Sequence, residues 1–319
     1  MKFQTTICQL LNIQVPIIQG GMAWVATSKL AAAVSNAGGL GIVAAGNAPA
    51  EIVEAEIVKT RSLTDKPFGV NIMMLSPFVE EVVEVVCRLQ VPVITTGAGN
   101  PGKYMEQFKA YGAKVIPVVP SVAMAKRMER SGADALIVEG TEAGGHIGEL
   151  ATMALVPQVV KAVSIPVIAA GGVADGKGFL AALSLGAQGV QMGTRFVCSI
   201  ECEAHDAYKQ MLLRAGDRDA IVTARSTGHP VRVLKNKFTR DLLRLEKEGI
   251  SQEDIERMGT GRLRMAVQDG DMVNGSVMAG QIAGMLDDIL TCEEIIDRVL
   301  LEAREQLDRL NQLKGDHSI

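Results

Sequence analysis

Residues 113–138, AKVIPVVPSVAMAKRMERSGADALIV, form one strand–helix–strand unit of the kind that decides this fold. Its two ends are short apolar runs rich in β-branched residues, which is typical of buried strands. Between them, Ser121 precedes a helical stretch that stops at Gly132, a residue type that often terminates helices. Two buried strands joined by a helix run parallel to each other. The unit therefore predicts a parallel sheet covered by helices.

The same unit recurs along the first part of the chain. The predicted strands are residues 15–19, 41–45, 68–73, 91–95, 113–119, 133–138, 165–170 and 189–192. The predicted helices between them are residues 28–37, 49–61, 77–89, 100–111, 121–131, 154–162 and 175–185. Eight such strands in a row favour an α/β fold of the (β/α)8 TIM-barrel type, with a doubly wound open sheet as the alternative.

The composition of the sequence changes after the eighth predicted strand. Charged residues become dense, with predicted helices at 204–215 and 238–258 and predicted strands at 220–223 and 231–234. We expect a barrel at residues 1–198 and a smaller substrate or cap domain at residues 199–270. A C-terminal segment, residues 271–319, would return to the barrel through an amphipathic helix at residues 292–313.

Composition limits the class of protein. The 319 residues are 48% hydrophobic, and the net charge of -4 gives no basic field for nucleic acid or an anionic membrane. The five scattered cysteines predict neither a disulfide framework nor a metal site. No run approaches the roughly 20 apolar residues of a membrane span, and the N-terminus lacks a signal-peptide core. We therefore expect a cytoplasmic protein.

One local cluster opposes the acidic average. Lys235, Lys237, Arg240 and Arg244 lie close together in the sequence. They would suit an acidic carrier protein, although a solvated helix face is the commoner explanation of such a cluster.

His146 is the candidate catalytic residue. It lies in EGTEAGGHIG, residues 139–148, directly after the sixth predicted strand, and TIM-barrel active sites lie at the carboxyl ends of the strands. Histidine moves protons near neutral pH, while a hydrogen-bonded structural histidine is the alternative. The sequence offers it no triad partner, and the other histidines, His205, His229 and His317, lie outside the barrel loops.

Two glycine-bearing loops predict a phosphate site. Gly171 and Gly172 follow the seventh strand, and Gly193 and Thr194 follow the eighth, where barrels of this type commonly bind phosphate through backbone N–H groups. Tight turns are the alternative. The motif GAGNPG, residues 97–102, matches a dinucleotide-binding pattern, but no acidic residue ends the next strand, which favours a turn.

Five motifs, in this order, carry a resemblance to a known family. They are QGGM at 19–22, AGGLG at 37–41, GTEAGGHIG at 140–148, AAGG at 169–172 and QMGTRF at 191–196. Together they resemble the FMN-dependent family that joins nitronate monooxygenases to enoyl-acyl-carrier-protein reductase II, known as FabK. The segment GSVMAGQIAG, residues 275–284, is similar to the reductase branch.

The resemblance implies an FMN-binding barrel and a redox activity. NADH or NADPH would reduce the flavin, and a trans-2-enoyl thioester on acyl carrier protein would receive the hydride during fatty-acid elongation. His146 would protonate the α-carbon or hold the thioester carbonyl. The FMN-binding residues would be Gly20, Gly21, Met22, Asn71, Glu139, Gly144, Gly145, Gly171, Gly172, Gln191, Met192, Gly193 and Thr194.

Other readings of the same residues stay open. In the monooxygenase branch, FMN and O2 would oxidise alkyl nitronates, with His146 as the base. A non-redox lyase or isomerase binding a sugar phosphate at the same loops is a further alternative. The resemblance suggests a monovalent cation without assigning ligands to it, and a homodimer is an open alternative to a monomer.

Overall fold

The computed structural model describes residues 3–313, and its central feature is a closed parallel barrel. The strands are β1 Ile17–Gln19, β2 Gly41–Ala44, β3 Phe68–Met73, β4 Val93–Gly97, β5 Lys114–Val119, β6 Leu136–Glu139, β7 Gly145–His146, β8 Val167–Ala170, β9 Gly189–Met192, β10 Ala220–Thr223 and β11 Val231–Leu234. Eight of them pair in the order β1-β9-β8-β6-β5-β4-β3-β2, and all these pairs are parallel. A parallel bridge between Ile18 and Leu40 closes the ring between β1 and β2. The predicted (β/α)8 barrel is confirmed.

Helices surround the barrel and extend beyond it. They are α1 Thr6–Leu11, α2 Ser28–Asn36, α3 Ala50–Leu63, α4 Val79–Arg88, α5 Met105–Ala110, α6 Val122–Arg130, α7 Thr152–Ala162, α8 Gly176–Ser184, α9 Thr194–Val197, α10 Asp206–Leu213, α11 Lys237–Lys247, α12 Gln252–Gly259, α13 Arg262–Arg264 and α14 Cys292–Gln312. No helix in this part of the chain is long and apolar enough to cross a membrane.

The prediction of a single helix at residues 238–258 was wrong. The segment forms two helices, α11 and α12, because Gly249 adopts a left-handed φ of 82° between them. Ser251 then caps α12 by accepting a hydrogen bond from the N–H of Asp254 at 3.1 Å. A glycine in that conformation ends one helix, and the serine starts the next.

The core has an inner and an outer part. Inside the barrel, Ile18, Ile42, Ile116, Ile137 and Ile168 pack together, and the short helix α1 covers one end of this group. The outer core lies between the strands and the surrounding helices. Strand residues therefore alternate between the two, which fixes which side chains can face the mouth of the barrel.

A second, three-stranded sheet stands at the carboxyl end of the barrel. Its order is β10-β11-β7, and both pairs are antiparallel. Its edge strand β7 comes from the loop after β6, within the predicted barrel segment, and Val233 of β11 also bridges to Met278 in the C-terminal segment. The small sheet thus unites residues from all three predicted segments of the chain.

Candidate active site

The carboxyl ends of the barrel strands hold a group of inward-facing polar side chains. Asn71 lies between Val70 and Ile72, whose side chains belong to the outer core, so Asn71 itself faces the interior. Its Nδ2 donates a hydrogen bond to Oγ1 of Thr95 at 3.0 Å. Thr95 was not among the predicted FMN-binding residues, although its alternation with Ile94 could have indicated its inward direction.

The loop after β1 approaches Asn71 closely. A Cβ added to Gly21 would lie 2.3 Å from Cβ of Asn71, so no other residue fits there without movement. Gly20 is adjacent to the side chain of Gln191. A Cβ added to Gly193 would lie 3.3 Å from the sulfur of Met22. The loop after β1 therefore meets the carboxyl ends of β3 and β9, as expected for a shared binding surface.

Met192 differs from its neighbours. Its side chain is 1% exposed and belongs to the outer core, while the adjacent Gln191 is turned towards the mouth. Met192 thus offers the site only its backbone, and its carbonyl already accepts a hydrogen bond from the N–H of Gly20 at 2.9 Å.

The predicted phosphate loops present bare backbone. Gly171 and Gly172 have φ values of 88° and 79°, in the left-handed region that favours glycine. Within residues 3–313, the N–H groups of Gly172, Val173 and Gly193 donate to no protein acceptor. Oγ1 of Thr194 accepts a hydrogen bond from the N–H of Gly280 at 2.9 Å, which leaves its own proton free to donate. These donors suit a phosphate group.

Gly144 and Glu142 have structural partners. A Cβ on Gly144 would lie 2.6 Å from the backbone of Ala279 and Gly280, which explains why glycine is needed there. The carboxylate of Glu142 accepts hydrogen bonds from the N–H of Thr152 at 2.9 and 3.0 Å and so caps α7. Both contacts stiffen the loop after β6.

Glu139 ends β6 at the mouth of the barrel. Burial of its carboxyl group raises its pKa from 4.5 to about 8. At neutral pH the side chain is therefore mostly protonated and can donate a hydrogen bond.

His146 lies on β7, beyond the barrel strands. It faces Val231 of β11, and the N–H of the next residue, Ile147, donates to the carbonyl of Pro230 at 3.1 Å. Gly145, with φ of 75°, faces Arg232. The loop after β6 is thus anchored to the small sheet at His146.

His146 is an exposed residue, although the surrounding protein removes part of the solvent from its imidazole. Loss of solvent and the nearby His229 lower its pKa below the ordinary value. A neutral imidazole is consequently the main form near pH 7. Sequence reasoning placed His229 outside the site, because the pairing of β7 with β11 joins segments far apart in the chain.

Two further side chains near the site were not predicted to be part of it. Arg232 is 5% exposed, and its Nε donates to the carbonyl of Thr141 at 3.0 Å. Trp24, two residues after Met22, has a left-handed φ of 65°, which is costly for an aromatic residue. The guanidinium of Arg264 stacks on its ring, 5.0 Å from the centroid, and joins the loop after β1 to residues 261–270.

Other histidines and cavities lie elsewhere. Nδ1 of His205 accepts from the N–H of Ala207 at 3.1 Å and caps α10, while His317 lies outside the described residues. A cavity of about 240 Å³ lies beside α14, between Ala174, Arg195 and the segment before that helix, and none of the predicted site residues lines it. In residues 3–313 no group of three or more His, Cys, Asp and Glu side chains could hold a metal ion.

Known proteins resemble this chain over nearly its whole length. The family model "nitronate monooxygenase" matches residues 4–84 and 75–302. The structure of FabK from Thermotoga maritima is 49% identical, with a TM-score of 0.94 over 97% of this chain and 98% of that one. A nitroalkane oxidase from Streptomyces ansochromogenes is 28% identical, with a TM-score of 0.86 over 96% of this chain and 100% of that one.

A curated relative carries a third name. It is the (3aS,4S,5R,7aS)-5-hydroxy-7a-methyl-1-oxo-octahydro-1H-indene-4-carboxyl-CoA dehydrogenase of Rhodococcus jostii (strain RHA1). The two sequences are 35% identical over 98% of this chain and 99% of the relative. The similar proteins thus differ in the reactions that their names state.

Proposed function

This chain belongs to the nitronate monooxygenase family of flavin-dependent oxidoreductases, and from that premise we propose that it is an enoyl-acyl-carrier-protein reductase. It would use NADH or NADPH and FMN to reduce trans-2-enoyl thioesters on acyl carrier protein in fatty-acid elongation, in the cytoplasm. The observation that carries this choice is the level of identity with FabK, which is well above that with the nitroalkane oxidase.

The residues at the barrel mouth fit FMN. The free N–H groups of Gly172 and Gly193 and the hydroxyl of Thr194 would hold its phosphate. Asn71 and Glu139 would donate hydrogen bonds to its ring or chain, since both side chains carry a proton at neutral pH. Gly20, Gly21, Met22, Gly144, Gly145, Gly171, Gln191 and the backbone of Met192 would complete the surface. When bound, FMN supplies hydride transfer, and the protein supplies orientation.

His146 would act on the thioester. Reduction of the enoyl group adds a hydride to the β-carbon and then a proton to the α-carbon. Between these two steps, negative charge develops on the carbonyl oxygen. Because the pKa of His146 is lowered, its neutral imidazole N–H is suited to donate a hydrogen bond to that oxygen. We propose this carbonyl-anchoring role in preference to proton donation to the α-carbon, which would take its proton from solvent water.

Each of the three predicted segments would have its own role. Residues 1–198 would bind FMN, residues 199–270 would shape the substrate site, and residues 271–319 would return to the barrel. Lys235, Lys237, Arg240 and Arg244 are all exposed, and they would meet the acidic carrier protein.

Anaerobic spectroscopy tests the activity. The purified protein should be yellow, bleach with NADH or NADPH, and regain its colour when a trans-2-enoyl thioester is added. Recovery with an enoyl thioester at a rate no faster than its spontaneous reoxidation would contradict the proposal.

A nitronate monooxygenase is the second candidate. The neutral form of His146 would also serve as a base, and the family model carries that name. In that case an alkyl nitronate would bleach the flavin and NAD(P)H would not. A non-redox sugar-phosphate lyase or isomerase disagrees with membership of a flavin oxidoreductase family.

A further inference from the structure

Arg232 is a buried charge that has no ion-pair partner among residues 3–313. Its residue is 5% exposed, and no carboxylate of residues 3–313 lies within 4.0 Å of its guanidinium. Burial lowers its pKa, as does the nearby Arg225, while Glu142 opposes them. Burying an unpaired charge is expensive, so the contacts that Arg232 makes must have a use that an apolar side chain would not serve.

Those contacts are backbone carbonyls on two other parts of the chain. Nε donates to the carbonyl of Thr141, in the loop after β6, at 3.0 Å. Nη1 donates to the carbonyl of Ala220, at the start of β10, at 3.3 Å. The backbone of Arg232 itself faces Gly145 across the β11–β7 pair. The side chain of Arg232 thus connects β10 with the loop that carries His146.

The loop that carries His146 contacts the barrel and the C-terminal segment, and three further attachments connect it to the small sheet. The strand pair holds Gly145 and His146, the Pro230 carbonyl holds Ile147, and Arg232 holds Thr141. Of these, the Arg232 side chain gives the only hydrogen bond from the small sheet to the loop between Glu139 and β7 within residues 3–313. Without it, the loop would be tied to the sheet at its far end alone.

We propose that Arg232 is a positioning residue that holds the His146 loop in register with the small sheet and so sets where His146 stands over the barrel mouth. The effect on turnover rests on the function proposed for His146. Arg232 acts through Thr141 and Gly145 and touches no reacting atom.

The test compares Arg232→Met, Arg232→Lys and the matched control Arg218→Met in the FMN-loaded protein. Arg218 is exposed, so its loss should leave the loop unchanged. Hydrogen exchange measured by mass spectrometry on peptides covering residues 140–148 reports the attachment directly. We expect exchange to be faster by about tenfold or more in Arg232→Met, while peptides of α14 stay as in the wild type. Arg232→Lys, which keeps one donor, should lie between.

Stopped-flow kinetics provides the second readout. Reduction of the flavin by NAD(P)H does not require His146 and should change by less than about threefold. Reoxidation by the enoyl thioester requires a placed His146 and should slow by about 10- to 100-fold in Arg232→Met, with partial recovery in Arg232→Lys.

The outcomes separate the two proposals. Unchanged exchange at residues 140–148, or equal slowing of both half-reactions, would overturn the role of Arg232. Faster exchange throughout the protein would also overturn it, because Arg232 would then serve only general stability. If the wild type does not turn over enoyl thioesters, the proposed function fails, and the exchange measurement still decides whether Arg232 holds the loop.

Discussion

His146 and Val231 face each other across an antiparallel strand pair, although they come from different predicted segments of the chain. Glu139, only one loop earlier in the sequence, ends a barrel strand. The proposed catalytic histidine is therefore carried by the small sheet, and the expected cofactor contacts are carried by the barrel. The geometry between them depends on how the two sheets meet.

Replacing His146 with Ala removes the N–H donor and should separate the two half-reactions. We expect FMN to stay bound, because the predicted phosphate donors lie on other loops, and flavin reduction by NAD(P)H to continue. Reoxidation by an enoyl thioester should slow by about 10²- to 10³-fold, because a donor to the developing charge is lost. Anaerobic stopped-flow absorbance measures both steps, and an unchanged reoxidation rate would remove His146 from catalysis.

The His229→Ala variant should raise the pKa of His146, because His229 is one of the two causes that lower it. If neutral His146 is the active form, activity is lost as the pH falls through its pKa, and the variant moves this loss to higher pH. The pH profile of the reoxidation rate measures the shift. A rate that instead falls as the pH rises through that pKa would identify the imidazolium as the acid and contradict the carbonyl-anchoring role.

Glu139 should make the FMN-free protein less stable as the pH rises. Its pKa is raised from 4.5 to about 8 on folding, so the folded state binds more protons between these values, and the free energy of unfolding falls across that window. The full shift corresponds to an upper bound of about 5 kcal/mol. Urea unfolding at pH 5 and pH 8.5 should show a larger fall in the wild type than in Glu139→Gln. Parallel pH dependences in the two proteins would refute the raised pKa.

A methyl group at Gly21 should disturb the site. The added Cβ of Gly21→Ala would lie 2.3 Å from Cβ of Asn71, and overpacking of this kind costs about 1–3 kcal/mol. We expect a lower melting temperature and a lower FMN content by absorbance. Gly259→Ala is the control, because no heavy atom lies within 4 Å of its added Cβ. Equal behaviour of the two variants would show that the loop after β1 moves freely.

Thr194 should matter for its hydroxyl group. Thr194→Val removes the acceptor of the Gly280 N–H and one expected phosphate donor, and an unpaired buried N–H costs about 1–3 kcal/mol. We expect the Kd for FMN to rise about tenfold or more, measured by fluorescence titration. Thr194→Ser keeps the hydroxyl and should bind FMN nearly as the wild type does. Equal Kd values for Val and Ser would exclude the hydroxyl from FMN binding.

Local sequence patterns were enough to predict the strands of the barrel, but they did not predict strand β7 of the small sheet. The eight barrel strands are apolar runs between helices, so each one is visible in its own stretch of sequence, as in β3 Phe68–Met73. Strand β7 has two residues and no periodicity, and only its distant partner β11 makes it a strand. The split between α11 and α12 depends on the φ of one glycine, Gly249.

The same distinction applies to the site. Glycines and polar residues that follow strands were visible, because strand ends in a barrel share one face. The outward side chain of Met192 could have been inferred from its alternation with Gln191. The burial of Arg232 and the proximity of His229 to His146 could not, since both result from long-range strand pairing.

The strained Trp24, held under Arg264, gives the protein a built-in optical probe. The chain contains a single tryptophan, so all of its indole emission comes from the loop after β1. Loss of the cation–ring stack would alter the polarity around that indole. The emission spectrum of the unlabelled protein thus reports, in real time, whether residues 261–270 rest on the loop that begins with Gly20.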